Sequence, residues 1–331
     1  MQLTVSEGRA LIEAALAANG YSEAESATIA DHLIDCELRL LGYAGLARAV
    51  AIIEHDRRCA LKRRPIAIVR ETPVSALLDG GDDLGYLVAA RATDIVIEKA
   101  LGAGMAVVGA SKTHFTGMYS YYLERMTGAG LVGMIAGSGP SAVAPFGGTQ
   151  PRFSTNPIAF GFPSDDVPVI WDISTSSITH AEVLLAKRLG EALPDGRGYD
   201  SEGAPSTDPA AVLSGAMSVW GGHRGSGLAM CVQLLSMLAG QRNSHGPYAE
   251  PGDFGYFTIA IDPGILGWAE EFRRSVSAYA AEMRATRPVD PSTPVRVPFE
   301  RSHQTRQATL AEGRIEVPDR VVETLRSFAG G

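Results

Sequence analysis

Short β-branched runs that alternate with one long amphipathic segment constrain the fold of this chain most. Both kinds of segment lie between residues 66 and 136. The predicted strands are residues 66–69, 74–78, 105–108 and 132–136, and the predicted helix is residues 86–101. Strands that alternate with a helix in this way are typical of domains in which helices cover a sheet. The sequence therefore predicts an α/β fold.

Both ends of the chain predict helices instead. Ser22 and Glu25 have the spacing of a capping box, in which each side chain binds an otherwise unpaired amide at a helix start. Leu46, Val50 and Ile53 then recur at helical spacing. The tail is polar and interrupted by prolines, so we expect loops there until a last helix at residues 317–328.

Composition excludes several classes of protein. Apolar residues make up 45% of the 331 residues and the net charge is −8, which excludes a mostly disordered chain and argues against nucleic-acid binding. No apolar run approaches the roughly 18–20 residues of a membrane span, and no export signal is evident at the start. Cys36, Cys59 and Cys231 are far apart, so we expect the reducing cytoplasm and no metal site.

One short motif matches the sequence pattern of a dinucleotide-binding loop. Residues 137–142 fit the pattern GxGxxA after a predicted strand. A Rossmann site needs a helix to start there, so that its amides can hold the pyrophosphate. Pro140 and Pro145, with Gly147 and Gly148, break that helix, so we do not expect a Rossmann site.

The first segment with candidate chemistry follows the predicted strand at residues 105–108. It contains His114 within Ser-Lys-Thr-His-Phe-Thr-Gly. An imidazole with a pKa near neutrality is suited to general acid or base catalysis. The position is equally consistent with a histidine that starts a helix and makes a backbone hydrogen bond.

Two further segments combine glycine or proline with polar groups. Thr155 and Asn156 are suited to bind a carboxamide or a ribose, although such residues are also common in turns. Glycines at residues 221–227 open an apolar helix beside His223 and Arg224. Exposed amides at a helix start bind anions, and Arg224 adds a fork for phosphate oxygens. Tight helix packing is the alternative reason for these glycines.

Together, these segments resemble the type 2 malate/L-lactate dehydrogenase family over nearly the whole chain. The residues that carry the resemblance are His114-Phe115, Pro145-Phe146-Gly147-Gly148, Thr155-Asn156-Pro157, Asp172 with Thr175-Ser176, Gly203 with Pro205 and Thr207-Asp208-Pro209, and Gly221-Gly222-His223.

The resemblance implies NAD(P)-dependent reduction at a 2-oxo or 2-imino acid by a homodimer. It implies a non-Rossmann NAD(P)-binding domain on a largely antiparallel sheet, plus a mainly helical domain formed by both chain ends. Residues 1–115 with 276–331 would form the helical domain for substrate binding and dimerisation, and residues 116–275 the NAD(P)-binding domain.

The resemblance also implies residue roles. Arg48 corresponds to the partner of the substrate carboxylate, and His114 is expected to orient the substrate or relay a proton. The expected cofactor-binding residues are Thr155, Asn156, Pro157, Asp172, Ser174, Ser176, His180, Gly222, His223 and Arg224. NADP is favoured and NAD stays open, because a Glu182 carboxylate facing the 2′ position would repel a phosphate.

The departures from the family pattern point to a substrate. The family usually has Ser-His-Gly before x-x-Arg, and this chain has Tyr43-Ala44-Gly45 before Arg48. The segments around His180 and His223 resemble the ketimine-reductase branch. Ketone reduction forms an alkoxide, so a proton donor contributes about 10²–10⁴-fold. A cyclic imine can enter already protonated, and losing the histidine at Ala44 harms its reduction less.

The leading hypothesis is therefore an NAD(P)H-dependent reductase of a small cyclic 2-imino acid, which yields an L-amino acid of the proline or pipecolate type. One alternative is a dehydrogenase of a malate-like or lactate-like 2-hydroxyacid. Another is a catalytically inactive homologue that binds nucleotide, for which Ala44 is the main support.

Overall fold

The structure is a computed structural model that describes residues 1–59, 62–242 and 254–330. Its helices are α1 Val5–Ala17, α2 Glu23–Leu38, α3 Leu46–Cys59, α4 Gly85–Ala103, α5 Tyr119–Gly128, α6 His180–Leu189, α7 Pro209–Ser214, α8 His223–Leu238, α9 Ala269–Ala285, α10 Glu300–Glu312 and α11 Asp319–Phe328. Its strands are β1 Gln2–Thr4, β2 Ala67–Thr72, β3 Ser75–Leu84, β4 Met105–His114, β5 Val132–Ser138, β6 Ile158–Phe162, β7 Val169–Ile173, β8 Gly198–Tyr199, β9 Ala216–Met217, β10 Gly255–Ile261 and β11 Arg314–Glu316.

The main sheet has seven strands in the order β2-β3-β4-β10-β5-β6-β7. Strand β10 pairs antiparallel with both β4 and β5, so that Thr258 lies opposite Val108 on one side and Ile135 on the other. The pairs β2/β3 and β5/β6 are antiparallel as well, whereas β3 and β4 run parallel. This confirms the predicted α/β fold on a largely antiparallel sheet.

Contacts divide the chain into two units. The helical unit comprises Met1–Arg63, Phe162–Ile170 and Leu266–Gly331. Its core is apolar, and Ile12, Leu16, Ile29, Leu33 and Ile52 in α1, α2 and α3 have no exposed surface. The predicted capping box at the start of α2 is confirmed, because Ser22 and Glu25 each bind the other's backbone amide.

The sheet unit comprises Arg64–Gly161 and Trp171–Ile265. This division differs from the domain boundaries expected from the sequence, which place residues 64–115 with the helical part. The physical reason is pairing: β2, β3 and β4 hydrogen-bond into the seven-stranded sheet, and α4 packs on β3 and β4. Which unit binds substrate, cofactor or a second copy stays a prediction.

Several elements were not predicted from the sequence. Helix α10 lies in the tail expected to be loops, and β1 pairs with β11 from the opposite end of the chain. Both depend on long-range contacts that local patterns do not report. The expectation for residues 137–142 is confirmed, because β5 ends at Ser138 and no helix starts there.

Candidate active site

His114 is the last residue of β4 and lies opposite Leu84 of the parallel strand β3. The strand thus runs six residues beyond the predicted end at 108, so His114 neither follows the strand nor starts a helix. Its side chain is buried, and its ring lies 5.5 Å from that of Phe115. The centroid of the Phe115 ring in turn lies 6.2 Å from that of the Phe254 ring. The histidine is therefore held at a strand end within an aromatic cluster.

An ion pair lies two residues before His114. Lys112 Nζ donates to Asp79 Oδ2 at 2.5 Å, and Arg64 lies 3.3 Å from Asp79 Oδ1. Burial raises the pKa of Asp79, but hydrogen bonds from Lys112 and Gly81 outweigh it and lower the pKa below its usual value. Lys112 therefore faces a carboxylate that stays ionised near neutrality.

Three non-glycine residues of these segments have left-handed backbone. The φ angles are +55° at Lys112, +56° at Phe115 and +37° at Asn156. Such conformations cost about 1–3 kcal/mol each and cluster at functional sites, where surrounding contacts must hold them. This strain supports a functional role for both segments.

Asn156 is fully buried, and its amide is held by α8. Its Nδ2 donates to Ala229 O at 2.8 Å and to Gln233 Oε1 at 3.3 Å. Its Oδ1 has no hydrogen-bond partner within the described residues. Next to it, Pro157 O accepts from Gly137 N at 3.2 Å, which fastens the segment to β5.

Thr155 binds the Ser174–Ser176 segment through its backbone. Thr155 O accepts from Thr175 N at 2.9 Å and from Ser174 Oγ at 3.0 Å. Ser174 and Ser176 share a hydroxyl hydrogen bond of 2.6 Å, and Thr175 O accepts from Trp220 N at 2.8 Å. The structure thus brings Thr155, Ser174 and Ser176 together, and the hydroxyls of the two serines already serve local bonds.

Asp172 lies in β7, and its side chain binds the start of α5. Its Oδ2 accepts from Ser120 N at 2.9 Å. Burial raises the pKa of Asp172 to about 6, although hydrogen bonds from Ser120 and Tyr119 act against the rise. The structure therefore gives Asp172 a capping contact for the helix that follows the His114 segment, which was not foreseen from the sequence.

The residues predicted to bind an anion lie at the start of α8. Gly221 and Gly222 have φ angles of +63° and +61°, and no side chain caps the helix at Gly222 in the described part of the chain. Phe146 N donates to Ser226 Oγ at 3.1 Å, and the Phe146 ring lies 6.3 Å from that of His223. The loop at residues 145–148 is therefore fastened to the helix start, whose free amides favour an anion.

His180 is the exposed first residue of α6. Thr179 and Glu182 form a capping box there, with Glu182 Oε2 accepting from Thr179 N and Thr179 Oγ1, both at 2.7 Å. The carboxylate of Glu182 is thus committed to the helix start.

Arg48 lies half-buried in the first turn of α3, within the helical unit. Sequence reasoning missed the residue that holds this turn, Glu37. Its Oε1 accepts from Leu46 N at 2.6 Å, and a Cβ on Gly45 would lie 2.2 Å from the same oxygen. Burial raises the pKa of Glu37 to about 7, against the effect of the Leu46 hydrogen bond. A glutamate among the apolar positions of α2 is the sequence feature that could have indicated this role.

The described residues 1–59, 62–242 and 254–330 contain no group of three or more His, Cys, Asp or Glu side chains that could hold a metal ion. Among the same residues, no helix is both long and apolar enough to cross a membrane.

The residues present fit a nicotinamide dinucleotide. Asn156 Oδ1 is a buried acceptor that needs a donor such as a carboxamide NH2. The glycine backbone at α8 is open, since a Cβ on Gly222 would meet only the Phe146 ring, at 3.5 Å, and one on Gly147 would meet nothing within 4 Å. Aromatic rings, free amides and this acceptor lie in one unit of the chain.

Comparison with known proteins identifies the class. The malate/L-lactate dehydrogenase family matches residues 3–326. A Δ1-pyrroline-2-carboxylate reductase of Ancylobacter novellus is 33% identical over 99% of this chain and 97% of its own length. A (2R)-3-sulfolactate dehydrogenase (NADP(+)) of Chromohalobacter salexigens is 31% identical over 99% and 98%. The crystal structure of a Δ1-piperideine-2-carboxylate reductase from Pseudomonas syringae matches with a TM-score of 0.88 at 25% identity, over 99% of both chains.

The fold and these matches define an NAD(P)-dependent oxidoreductase. The chain belongs to the malate/L-lactate dehydrogenase family, as its sequence motifs indicated.

Proposed function

We propose that the protein is an NAD(P)H-dependent reductase of a small cyclic 2-imino acid, which it converts to the L-amino acid. The observation that carries the proposal is Ala44, a residue with no ionisable group in the turn before Arg48, where the family pattern has a histidine. Reductases of such imines are among the relatives, at 33% identity.

Arg48 binds the substrate carboxylate through its guanidinium, which matches two carboxylate oxygens at once. His114, at the end of β4, orients the imine or relays a proton to it. A reduced nicotinamide, when bound, supplies the hydride to C2. The C=N electron pair then moves to the nitrogen of the protonated imine, so the product amine forms without a new proton donor at position 44.

The remaining predicted residues hold the cofactor in this proposal. Thr155, Asn156 and Pro157 line the nicotinamide, while Asp172, Ser174 and Ser176 support the cofactor. Ser174 Oγ also bonds to Thr155 O. Gly222, His223 and Arg224 take the pyrophosphate at the start of α8. His180 contacts the ribose or its phosphate, and NADP is the favoured cofactor, as in the name of the sulfolactate dehydrogenase relative.

The molecule is proposed to act as a homodimer in the cytoplasm. Helix α8 carries an exposed apolar stripe of Met230, Leu234, Met237 and Leu238, opposite the face that packs on the sheet. A second copy would cover this stripe in the proposed dimer, which adds a contact in the sheet unit to those expected from the helical domain. The cysteines Cys36 and Cys231 are free thiols, which suits a reducing compartment.

A 2-hydroxyacid dehydrogenase is the second candidate. It is favoured by the sulfolactate dehydrogenase relative at 31% identity and by the buried His114, which is suited to donate the proton that an alkoxide needs.

Steady-state kinetics separate the two functions. We expect kcat/KM for Δ1-piperideine-2-carboxylate and Δ1-pyrroline-2-carboxylate to exceed that for pyruvate, oxaloacetate and sulfopyruvate by at least about 100-fold, because only ketones need the missing donor. Each substrate is assayed with both NADPH and NADH. Faster reduction of an oxo acid by a similar factor would select the hydroxyacid dehydrogenase, and binding without turnover would select an inactive homologue.

A further inference from the structure

A chain of side-chain amides runs from Asn156 into the sheet unit. Asn156 Nδ2 donates to Gln233 Oε1 at 3.3 Å, and Gln233 Nε2 donates to Gln241 Oε1 at 3.0 Å. Gln241 Nε2 ends the chain on Gly139 O at 3.4 Å. Ser138 Oγ also donates to Gln233 Oε1, at 2.7 Å. In Gln233 and Gln241, the amide oxygen therefore faces the preceding residue of the chain of amides, and the amide nitrogen faces the next one.

Two backbone carbonyls fix the direction of this chain. Gly139 O at one end and Ala229 O at the other only accept hydrogen bonds, so each must face an NH2 group. Reversing the Gln233 amide would set its NH2 group against that of Asn156 and leave buried groups unpaired. A buried polar group without a partner loses its hydration and gains nothing in return, so the observed direction is strongly preferred.

This direction leaves Asn156 Oδ1 as an acceptor with no donor. Asn156 has no exposed surface, and its Oδ1 has no partner in the described part of the chain. The backbone of Asn156 is also left-handed, which is an unfavourable conformation for this residue. The surrounding contacts must therefore hold the residue in place. A ligand that brings an N–H donor to this oxygen recovers the desolvation cost of the oxygen.

We propose that Gln233, supported by Gln241, is a positioning residue that keeps Asn156 Oδ1 turned toward the nicotinamide carboxamide and so makes the site select a carboxamide NH2. The inference rests on the proposed function in taking a nicotinamide dinucleotide as the ligand. It is independent of whether the second substrate is an imino acid or an oxo acid.

Cofactor analogues without the NH2 group test this inference by binding alone. In the 3-acetylpyridine analogues of NADP+ and NAD+, a methyl ketone replaces the carboxamide. We expect the wild-type protein to bind the preferred parent cofactor at least about tenfold more tightly than its analogue by titration calorimetry, because one buried hydrogen bond is lost. In Gln233→Met, which removes the acceptor at similar volume, the ratio falls to about threefold or less.

Gln233→Glu keeps an oxygen that accepts from both Asn156 and Ser138, so its ratio is expected to stay within about threefold of the wild-type ratio. Gln241→Met gives a second, milder loss. Gln307→Met is the control, since Gln307 is exposed on α10 in the helical unit. Thermal unfolding of each variant excludes a folding defect as the cause.

The outcomes separate the two ideas. Equal binding of parent and analogue by the wild type, or an unchanged ratio in a folded Gln233→Met variant, overturns the inference and leaves the enzyme class intact. A wild-type protein that binds neither parent dinucleotide contradicts the proposed function itself, and the inference with it.

Discussion

Replacing Arg48 with methionine is expected to raise the KM for the acid substrate by about 100-fold or more, with a smaller loss in kcat. The guanidinium is the proposed partner of the substrate carboxylate, and removing one side of a charged pair costs about 2–5 kcal/mol. Methionine keeps much of the apolar stem of the side chain in the first turn of α3, so the helix is expected to remain folded.

The measurement is steady-state kinetics beside a dinucleotide titration, whose Kd should not change. Arg58→Met is the matched control, because Arg58 is exposed near the end of the same helix and removes the same charge. An unchanged KM in Arg48→Met, or an equal rise in Arg58→Met, would remove Arg48 from the substrate site.

Replacing Gly225 with alanine is expected to weaken dinucleotide binding by at least about 30-fold and to destabilise the fold by roughly 2–4 kcal/mol. A Cβ at this position would lie 1.6 Å from Trp220 O and 2.7 Å from the Trp220 carbonyl carbon. These are backbone atoms and cannot rotate away. The first turn of α8 must therefore shift, and the amides proposed to bind the pyrophosphate shift with it.

Gly227→Ala is the control two residues further along the helix. A Cβ there would meet nothing within 4 Å, so we expect unchanged Kd and a stability gain of about 0.5–1 kcal/mol from helix propensity. Denaturant unfolding and cofactor titration of both variants make the comparison. Equal behaviour of the two variants would show that the close approach to Trp220 does not shape the binding site.

Local backbone features of the candidate site could be predicted from the sequence because they depend on compact motifs. The sequence predicts an open helix start at Gly221, Gly222 and His223, and α8 starts there in the structure. The prolines after β5 correctly excluded a Rossmann helix. These predictions succeed because proline and glycine act on the local backbone, whatever the rest of the chain does.

Other features depend on partners distant in the sequence. Glu37 lies in α2 and holds the start of α3 across nine residues, and Gln233 reaches Ser138 across ninety-five. Asp172 binds the start of α5 fifty-two residues before it. No periodicity reports such contacts, so the groups that position Arg48, Asn156 and the His114 segment emerge only from the folded chain.

A structure of the protein with NADPH and pyrrole-2-carboxylate, an inert planar mimic of the imino acid, would test the proposed site directly. We expect the carboxamide nitrogen within hydrogen-bond distance of Asn156 Oδ1, the pyrophosphate on the amides that follow Gly222, and the carboxylate on Arg48. A dinucleotide bound away from these loops, or loops filled by their own side chains with no space for a nicotinamide beside His114, would contradict this expectation.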